Sequence, residues 1–284
     1  MVTGPFVFRI NSASGAIASS LATLYPDFPV VGPETFVDFH VAVRSSGGLR
    51  RFVRKQVHFE FDSGLRPFKP LPWSQAFAML EWGMNWCIYS HAHTFMIIHG
   101  AVLERDGAAI ILPAPSGSGK STLCAALMTR GWRLLSDELV LIDPEDGHLQ
   151  PLARPVSLKN RSIEVMRAFA PESFISQPIH DTTKGSVAHM KPSAESVRRI
   201  GERVSPSWVV FPRYVANATT RLASVRKSDV FMSLVENAFN YSLLRERGFM
   251  AMSQLVERVS GFSAEYGDLD EVIAAIEQRI GVEG

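Results

Sequence analysis

The stretch Ala108-Ala109-Ile110-Ile111-Leu112-Pro113-Ala114-Pro115-Ser116-Gly117-Ser118-Gly119-Lys120-Ser121-Thr122 decides how this chain is read. An apolar, strand-like run enters a glycine- and serine-rich turn, and an amphipathic helix follows over Leu123 to Arg130. Strand, loop and helix in that order are the context in which a phosphate-binding loop works. Gly117 and Gly119 free the backbone to turn its N–H groups onto phosphate oxygens, and the helix start adds its positive dipole end. Lys120 is expected to reach the β- and γ-phosphates of a nucleoside triphosphate, and the Ser121 hydroxyl to ligate Mg²⁺. The candidate nucleotide-binding residues are therefore Pro115, Ser116, Gly117, Ser118, Gly119, Lys120, Ser121 and Thr122. The position of the pattern's first glycine is held by Ala114, which fits if that residue ends a strand. The plainer alternative is a glycine-rich turn that happens to carry a lysine; the flanking elements speak against it.

Such a loop needs a carboxylate partner, and the chain offers two places for one. Asp137 and Glu138 end the short run Leu134-Leu135-Ser136, and Asp143 ends Leu139-Val140-Leu141-Ile142. Asp143 is followed by Pro144-Glu145-Asp146-Gly147, a turn, where an aspartate commonly serves the turn itself. In a parallel αβ unit the strand after the loop helix ends beside the loop, which favours Asp137. Asp137 and Glu138 are thus candidate catalytic and metal-ligating residues together with Ser121. A solvated acidic turn is the competing reading of the pair.

The segments around the loop carry a more specific pattern. His99-Gly100-Ala101-Val102-Leu103, the Arg105-Asp106-Gly107 turn and Ser116 to Ser121 lead to Arg130-Gly131-Trp132-Arg133-Leu134-Leu135-Ser136-Asp137-Glu138. Over roughly residues 95 to 143 the chain resembles the bacterial HPr kinase/phosphorylase family, and most closely the HPr-kinase-related kinase A proteins. Pro155 to Asn160 and Thr183 to His189 match further segments of that group. The family's second aspartate is Glu138 here, and its Glu-x-Arg-Gly signature is not found. The resemblance implies an HPr-kinase-like P-loop domain of α/β class, a mixed sheet with helices, and kinase activity rather than phosphorolysis. It also implies that Asp137 accepts the acceptor's proton or holds the acceptor in line. Glu138 would assist through metal or water, and His99 would lie near the active site.

Around these residues lie groups with weaker signals. Arg154, Lys159 and Lys184 are candidate phosphate contacts, since a transferring phosphoryl group needs cations that one loop does not supply. Ordinary solvated charge is the base expectation for any of them. His91 and His93 could share a strand face, but no further ligand lies near in sequence, so capping or surface exposure is expected. The aromatic-rich stripe Phe77, Leu80, Met84 and Ile88 reads as core, and Asn237 and Asn240 as structural.

The whole chain sets limits on these readings. With 284 residues and a net charge of +1, it can bury a full core and shows no bulk electrostatic affinity for nucleic acid or membrane. The two cysteines, Cys87 and Cys124, form no disulfide framework, which fits a cytoplasmic protein. Neither a signal-peptide pattern nor a long apolar span occurs. Residues 1–68 read as a small N-terminal α/β unit, with strands over Phe6 to Ile10, Thr35 to Val43 and Phe52 to Phe61 and a helix over Ala16 to Leu24. Pro67, Pro70 and Pro72 mark a boundary, and residues 69–284 form the kinase-like domain. Residues 151–193 read as partly mobile loops around a site, and Val230 to Leu244, Met252 to Val259 and Leu269 to Ile280 as closing helices. The expected function is transfer of the ATP γ-phosphoryl group to a hydroxyl, a serine by analogy, of a protein, peptide or small molecule, with Mg²⁺. A homo-oligomer is compatible with this. The alternative is a nucleotide-binding regulatory module with little phosphotransfer.

Overall fold

In the computed structural model, residues 1–47, 53–62, 64–113, 115 and 117–281 are described. Ala114 and Ser116 of the glycine loop, and Phe52 at the start of an expected N-terminal strand, lie outside the described residues.

Alternating apolar positions build a first sheet from β1 (Val2–Thr3), β2 (Phe6–Ser12), β3 (Phe39–Ser45), β4 (Gln56–Phe61) and β5 (Leu71–Pro72), in that order, with helix α1 (Gly15–Leu24) between β2 and β3. β2 and β3 run parallel, as a helical crossover requires, and the other pairs are antiparallel. The strand expected from Thr35 begins only at Phe39, because Thr35 closes a turn onto Gly32. A single 3₁₀ turn, Trp73–Gln75, leads into helix α2 (Ala76–His91). Phe77, Leu80, Met84 and Ile88 are buried as expected, but so are Ala78, Met79 and Gly83. The helix is apolar on more than one side because its cluster includes both Val57 and Phe59 of the first sheet and Ile97, Leu139 and Leu141 of the next. Gly83 is required by that packing: a Cβ there would lie 2.1 Å from the Phe59 ring.

The second sheet starts with the hairpin β6 (Met96–Arg105) and β7 (Ala108–Pro113), turned by Asp106 and Gly107 at positive φ. Helix α3 (Lys120–Thr129) follows the glycine loop, and then come β8 (Arg133–Ser136), β9 (Leu139–Ile142) and β10 (Leu149–Gln150). The segment 151–193 is not a set of loops. It holds β11 (Val156–Lys159), α4 (Arg161–Phe169), β12 (Ile179–Thr182) and β13 (Gly185–Met190), with the strands in a separate antiparallel sheet ordered β11-β13-β12. Then follow α5 (Ala194–Arg198), β14 (Pro206–Tyr214), β15 (Arg221–Val225), α6 (Lys227–Glu236), α7 (Tyr241–Leu244), α8 (Glu246–Arg258), β16 (Ser260–Tyr266) and α9 (Leu269–Ile280).

In the large sheet the order is β10-β9-β6-β7-β14-β16-β15, with β8 also on β6. β7, β14 and β16 are parallel, and β8 and β9 run antiparallel to β6 and so in the direction of β7. One face of the sheet packs Leu103, Ile110 and Leu112 against α3, α4 and α9; the other packs Ile98, Val102, Ile111 and Val209 against α6 and α8. The fold is mixed α/β with helices on both faces. The helix expected over Val230 to Leu244 is broken. Between α6 and α7 the Asn240 side chain turns inward, accepting from Ile97 N at 2.9 Å and donating to Phe95 O at 2.8 Å. Among the described residues no helix is long and apolar enough to cross a membrane.

Candidate functional site

The glycine loop leaves the end of β7 and enters α3. Gly117 and Gly119 have φ of 90° and 94°, a region other residues rarely adopt. At Gly119 space requires glycine as well, because a Cβ would meet Tyr266 Oη at 2.7 Å and Tyr214 Cβ at 3.0 Å. Those tyrosines brace the loop from the ends of the neighbouring parallel strands. Tyr214 N donates to Ser118 O at 3.0 Å, and Tyr266 Oη donates to Gly119 O at 3.4 Å.

The acid pair sits where β8 stops and β9 starts. Val102 opposite Ser136 and His99 opposite Leu139 keep one register on β6 across the junction, although β8 slips by one residue between Leu134 and Ser136. Strand pairing lapses at Asp137 and Glu138, where Gly100 N still donates to Glu138 O at 3.2 Å. Ser136 Oγ accepts from Leu139 N at 3.2 Å and holds the break. Interruptions of this kind re-aim side chains that a regular ladder would bury against a sheet face. Lys120, buried to 6% exposure, donates from Nζ to the Asp137 carbonyl and lies 3.4 Å from Asp137 Oδ1. Asp137 Oδ2 accepts from Ser157 N at 3.1 Å, which ties the pair to β11.

Glu138 has two partners: its Oε2 is 3.2 Å from His99 Nε2 and its Oε1 is 3.4 Å from Lys159 Nζ. Burial works against its charge. The His99 hydrogen bond and the charges of Lys120, Lys159 and Lys184 prevail and hold its carboxyl well below the usual carboxylate range. Burial likewise opposes the Lys120 charge, but Asp137 and Glu138 win and raise its pKa. Lys184 is lowered by burial first and then by Lys159 and Lys120, against the pull of Glu138. Its ammonium lies 5.2 Å from the centre of the Trp82 ring.

Two cavities meet at this point. The larger, about 720 Å³, runs from Lys120, Ser121 and Lys159 toward α4 and the start of α9. The smaller, about 20 Å³, lies against Asp137 and Glu138 and reaches Trp82, Arg154 and His189. Ser157 borders both. Its Oγ is buried and, among the described residues, has no hydrogen-bond partner. His189 is also fully buried, with neither ring nitrogen partnered among the described residues, and burial lowers its pKa.

Lys120, Asp137, Glu138, His99, Lys159 and Lys184 thus converge on one place, with Ser121 and Thr122 on the wall of the large cavity. Pro115, Gly117 and Gly119 border that cavity too. Arg154, expected among the phosphate contacts, is placed otherwise. Its buried guanidinium holds Glu81 Oε2 at 2.6 Å, Asn85 Oδ1 at 2.6 Å and Tyr25 Oη at 3.3 Å, so its charge is already neutralised. Asp143 lies in the β9–β10 turn and meets Arg203 at 3.1 Å. His91 lies at the end of α2 with Nδ1 3.1 Å from Cys87 O. Ser157, Tyr214, Tyr266 and Phe169 were not singled out from the sequence. Ser157 could have been found, since it sits in the Pro155 to Asn160 segment.

Among the described residues no three His, Cys, Asp or Glu side chains form a metal cluster. The set Ser121, Asp137 and Glu138 is all oxygen and leaves positions for phosphate and water. That fits Mg²⁺, which is commonly held by one or two carboxylates plus substrate phosphates.

These features define a class: a mixed α/β protein with a glycine loop between strand and helix and two carboxylates at the break of a nearby strand. The model of one family, described as SynChlorMet cassette protein ScmC, matches residues 72–155. That span runs from α2 through the loop and the acid pair to the start of β11. No curated protein matches the chain in sequence. Among solved structures the chain is similar to the Hpr(Ser) kinase/phosphatase from Coxiella burnetii, at 13% identity over 66% of this chain and 99% of the other, with a TM-score of 0.27. Similarity at that level carries no statement about activity.

Proposed function

We propose that this protein is an ATP- and Mg²⁺-dependent phosphotransferase that moves the γ-phosphoryl group to a hydroxyl of a protein, peptide or small molecule. The observation that carries the reading is the contact of Lys120, at the start of α3 after the Gly117–Gly119 turn, with Asp137, beside Glu138, Lys159 and Lys184. Phosphoryl transfer is mostly positioning and neutralisation of charge, and this is a set of residues suited to both.

On nucleotide binding, the loop N–H groups and Lys120 take the phosphates, and Lys120 exchanges its contacts with Asp137 for phosphate oxygens. Ser121, Asp137 and Glu138 would hold Mg²⁺, which would supply neutralisation of phosphate charge. Lys159 and Lys184 offset charge on the transferred group. Asp137, positioned by Ser157 N, takes the proton of the acceptor hydroxyl at its carboxylate; the acceptor's oxygen forms the new bond to the γ-phosphorus as the bond to the ADP oxygen breaks. Glu138 stays ionised through its contacts with His99 and Lys159 and remains available as a ligand.

The test separates binding from transfer. Lys120→Ala is expected to lower ATP–Mg²⁺ affinity at least tenfold in calorimetry. Asp137→Asn is expected to bind ATP and to lose γ-phosphate transfer in a screen of peptides and hydroxylated metabolites. Unchanged affinity in the first variant would sink the nucleotide reading; retained transfer in the second would move the proton-accepting role to Glu138.

A further inference from the structure

We propose that the end of the large cavity remote from Lys120 is a stacking subsite for the base of the nucleotide, with Phe169 as its platform. This rests on the reading of the glycine loop as a nucleotide site.

Phosphates held at the loop would take up only the part of the roughly 720 Å³ cavity that lies against Lys120 and Ser121. The remainder is walled by a different chemistry. Val165, Ala168 and Phe169 come from α4, and Leu269 from the first turn of α9. These walls are apolar and include one partly buried aromatic ring. The ring is held in place: the Arg130 guanidinium lies 4.6 Å from its centre, and Arg130 is itself fixed by Asp270 at 2.6 Å. Phe169 borders the cavity, as does Asp270, the partner of the Arg130 guanidinium that stacks on its ring, so an aromatic surface with a fixed cation beside it lies where a second ring can enter. Any base can stack on an aromatic ring, and a cation held against the same ring adds to the attraction.

The polar groups at this end narrow the occupant further. Asp268 and Asp270 border the cavity, and each has one carboxylate oxygen engaged, with Glu271 N and with Arg130 respectively. Carboxylates at the rim accept hydrogen bonds from ribose hydroxyls or an exocyclic amine, and repel phosphate. A lipid tail would gain nothing from them. The arrangement therefore fits a nucleoside continuous with the phosphates at the loop.

The deciding experiment compares ATP with inorganic tripolyphosphate, both with Mg²⁺, as ligands of the full chain by calorimetry. Wild type is expected to bind ATP more tightly than tripolyphosphate. Phe169→Ala is expected to weaken ATP about tenfold or more and leave tripolyphosphate unchanged. Phe169→Trp, which keeps an aromatic face, is expected to retain ATP affinity, and circular dichroism checks that each variant is folded. Equal wild-type affinity for the two ligands overturns the subsite while leaving the loop reading intact. So does unchanged ATP affinity in Phe169→Ala, or an equal loss for both ligands. A wild type that binds neither ligand overturns the loop reading and the subsite with it.

Discussion

Two charge clusters border the same small cavity and differ in one respect. Around Glu81 the charges are matched: Arg154 lies 2.6 Å away, and Tyr25 and Asn85 take up remaining hydrogen-bonding capacity. Around the acid pair they are not: Lys120, Lys159 and Lys184 face Asp137 and Glu138. A closed cluster has no capacity left for a ligand. An open one holds cationic charge in excess at a place where the helix α3 also starts, which is the condition for taking up a polyanion. In sequence Arg154, Lys159 and Lys184 look alike. What sorts them is the element opposite each. The carboxylate of α2 meets Arg154, and the break between β8 and β9 meets the two lysines.

That difference is broken most severely by removing one cation from each cluster. Arg154→Ala leaves Glu81 buried without its partner, and loss of one member of a buried pair costs about 3–5 kcal/mol. Urea unfolding of the nucleotide-free protein is the measurement. Lys159→Ala, at a partly exposed pair, is expected to change stability by about 1 kcal/mol or less. For ATP affinity the order reverses: Lys159→Ala is expected to weaken binding about tenfold, and Arg154→Lys, which keeps the buried charge, to leave it nearly unchanged. If Arg154→Lys weakens ATP as much as Lys159→Ala, the closed cluster is part of the site.

A smaller effect is expected from the turn that carries Lys184. Gly185 has φ of 80°, and a Cβ there would lie 2.2 Å from Asn160 Oδ1. Asn160 is itself at φ 51°, with its Oδ1 accepting from Ser186 N at 3.1 Å. Gly185→Ala is expected to cost about 1–3 kcal/mol in unfolding experiments. Adding Asn160→Gly should restore part of that, since it removes the clash and suits the positive φ. Full stability in the single variant would mean that the β12–β13 turn does not constrain the lysine beside it.

How much of this was legible follows from the range of the interactions. The strand, turn and helix around Lys120 are fixed within a few residues, and the glycines, the hairpin at Asp106-Gly107 and the apolar run Leu139 to Ile142 carry that information locally. The acid pair could be placed near the loop from chain direction alone. The 151–193 segment could not be read as a sheet. Its strands are short and half polar, and β11 pairs with β13 across the whole of α4. β16 alternates Phe262, Ala264 and Tyr266 inward, but Ser260 and Gly261 open it like a loop. The break at Asn240 depends on Phe95 and Ile97, far away in sequence. The base subsite needs Arg130 and Phe169 to meet, which only the packing of α3 against α4 brings about.

The finest distinction between the clusters is their response to alkali. Burial, reinforced by Lys159 and Lys120, holds Lys184 below an ordinary lysine, so it loses its proton at a lower pH than the usual 10.5. Two consequences of opposite sign follow in that window. A folded-state pKa depressed below the unfolded value means that charged Lys184 disfavours folding; the penalty is present at neutral pH and disappears as pH rises from the lowered value toward 10.5. ATP affinity falls over the same range, because the departing charge is one the phosphates need. Arginine does not titrate there. The contribution of Lys184 is therefore the difference between wild type and Lys184→Arg. ATP affinity should decline earlier in wild type than in the variant, and wild-type unfolding free energy should rise relative to the variant over the same interval. Parallel profiles for affinity and stability in the two proteins would remove Lys184 from the open cluster and leave Lys120 and Lys159 as its cations.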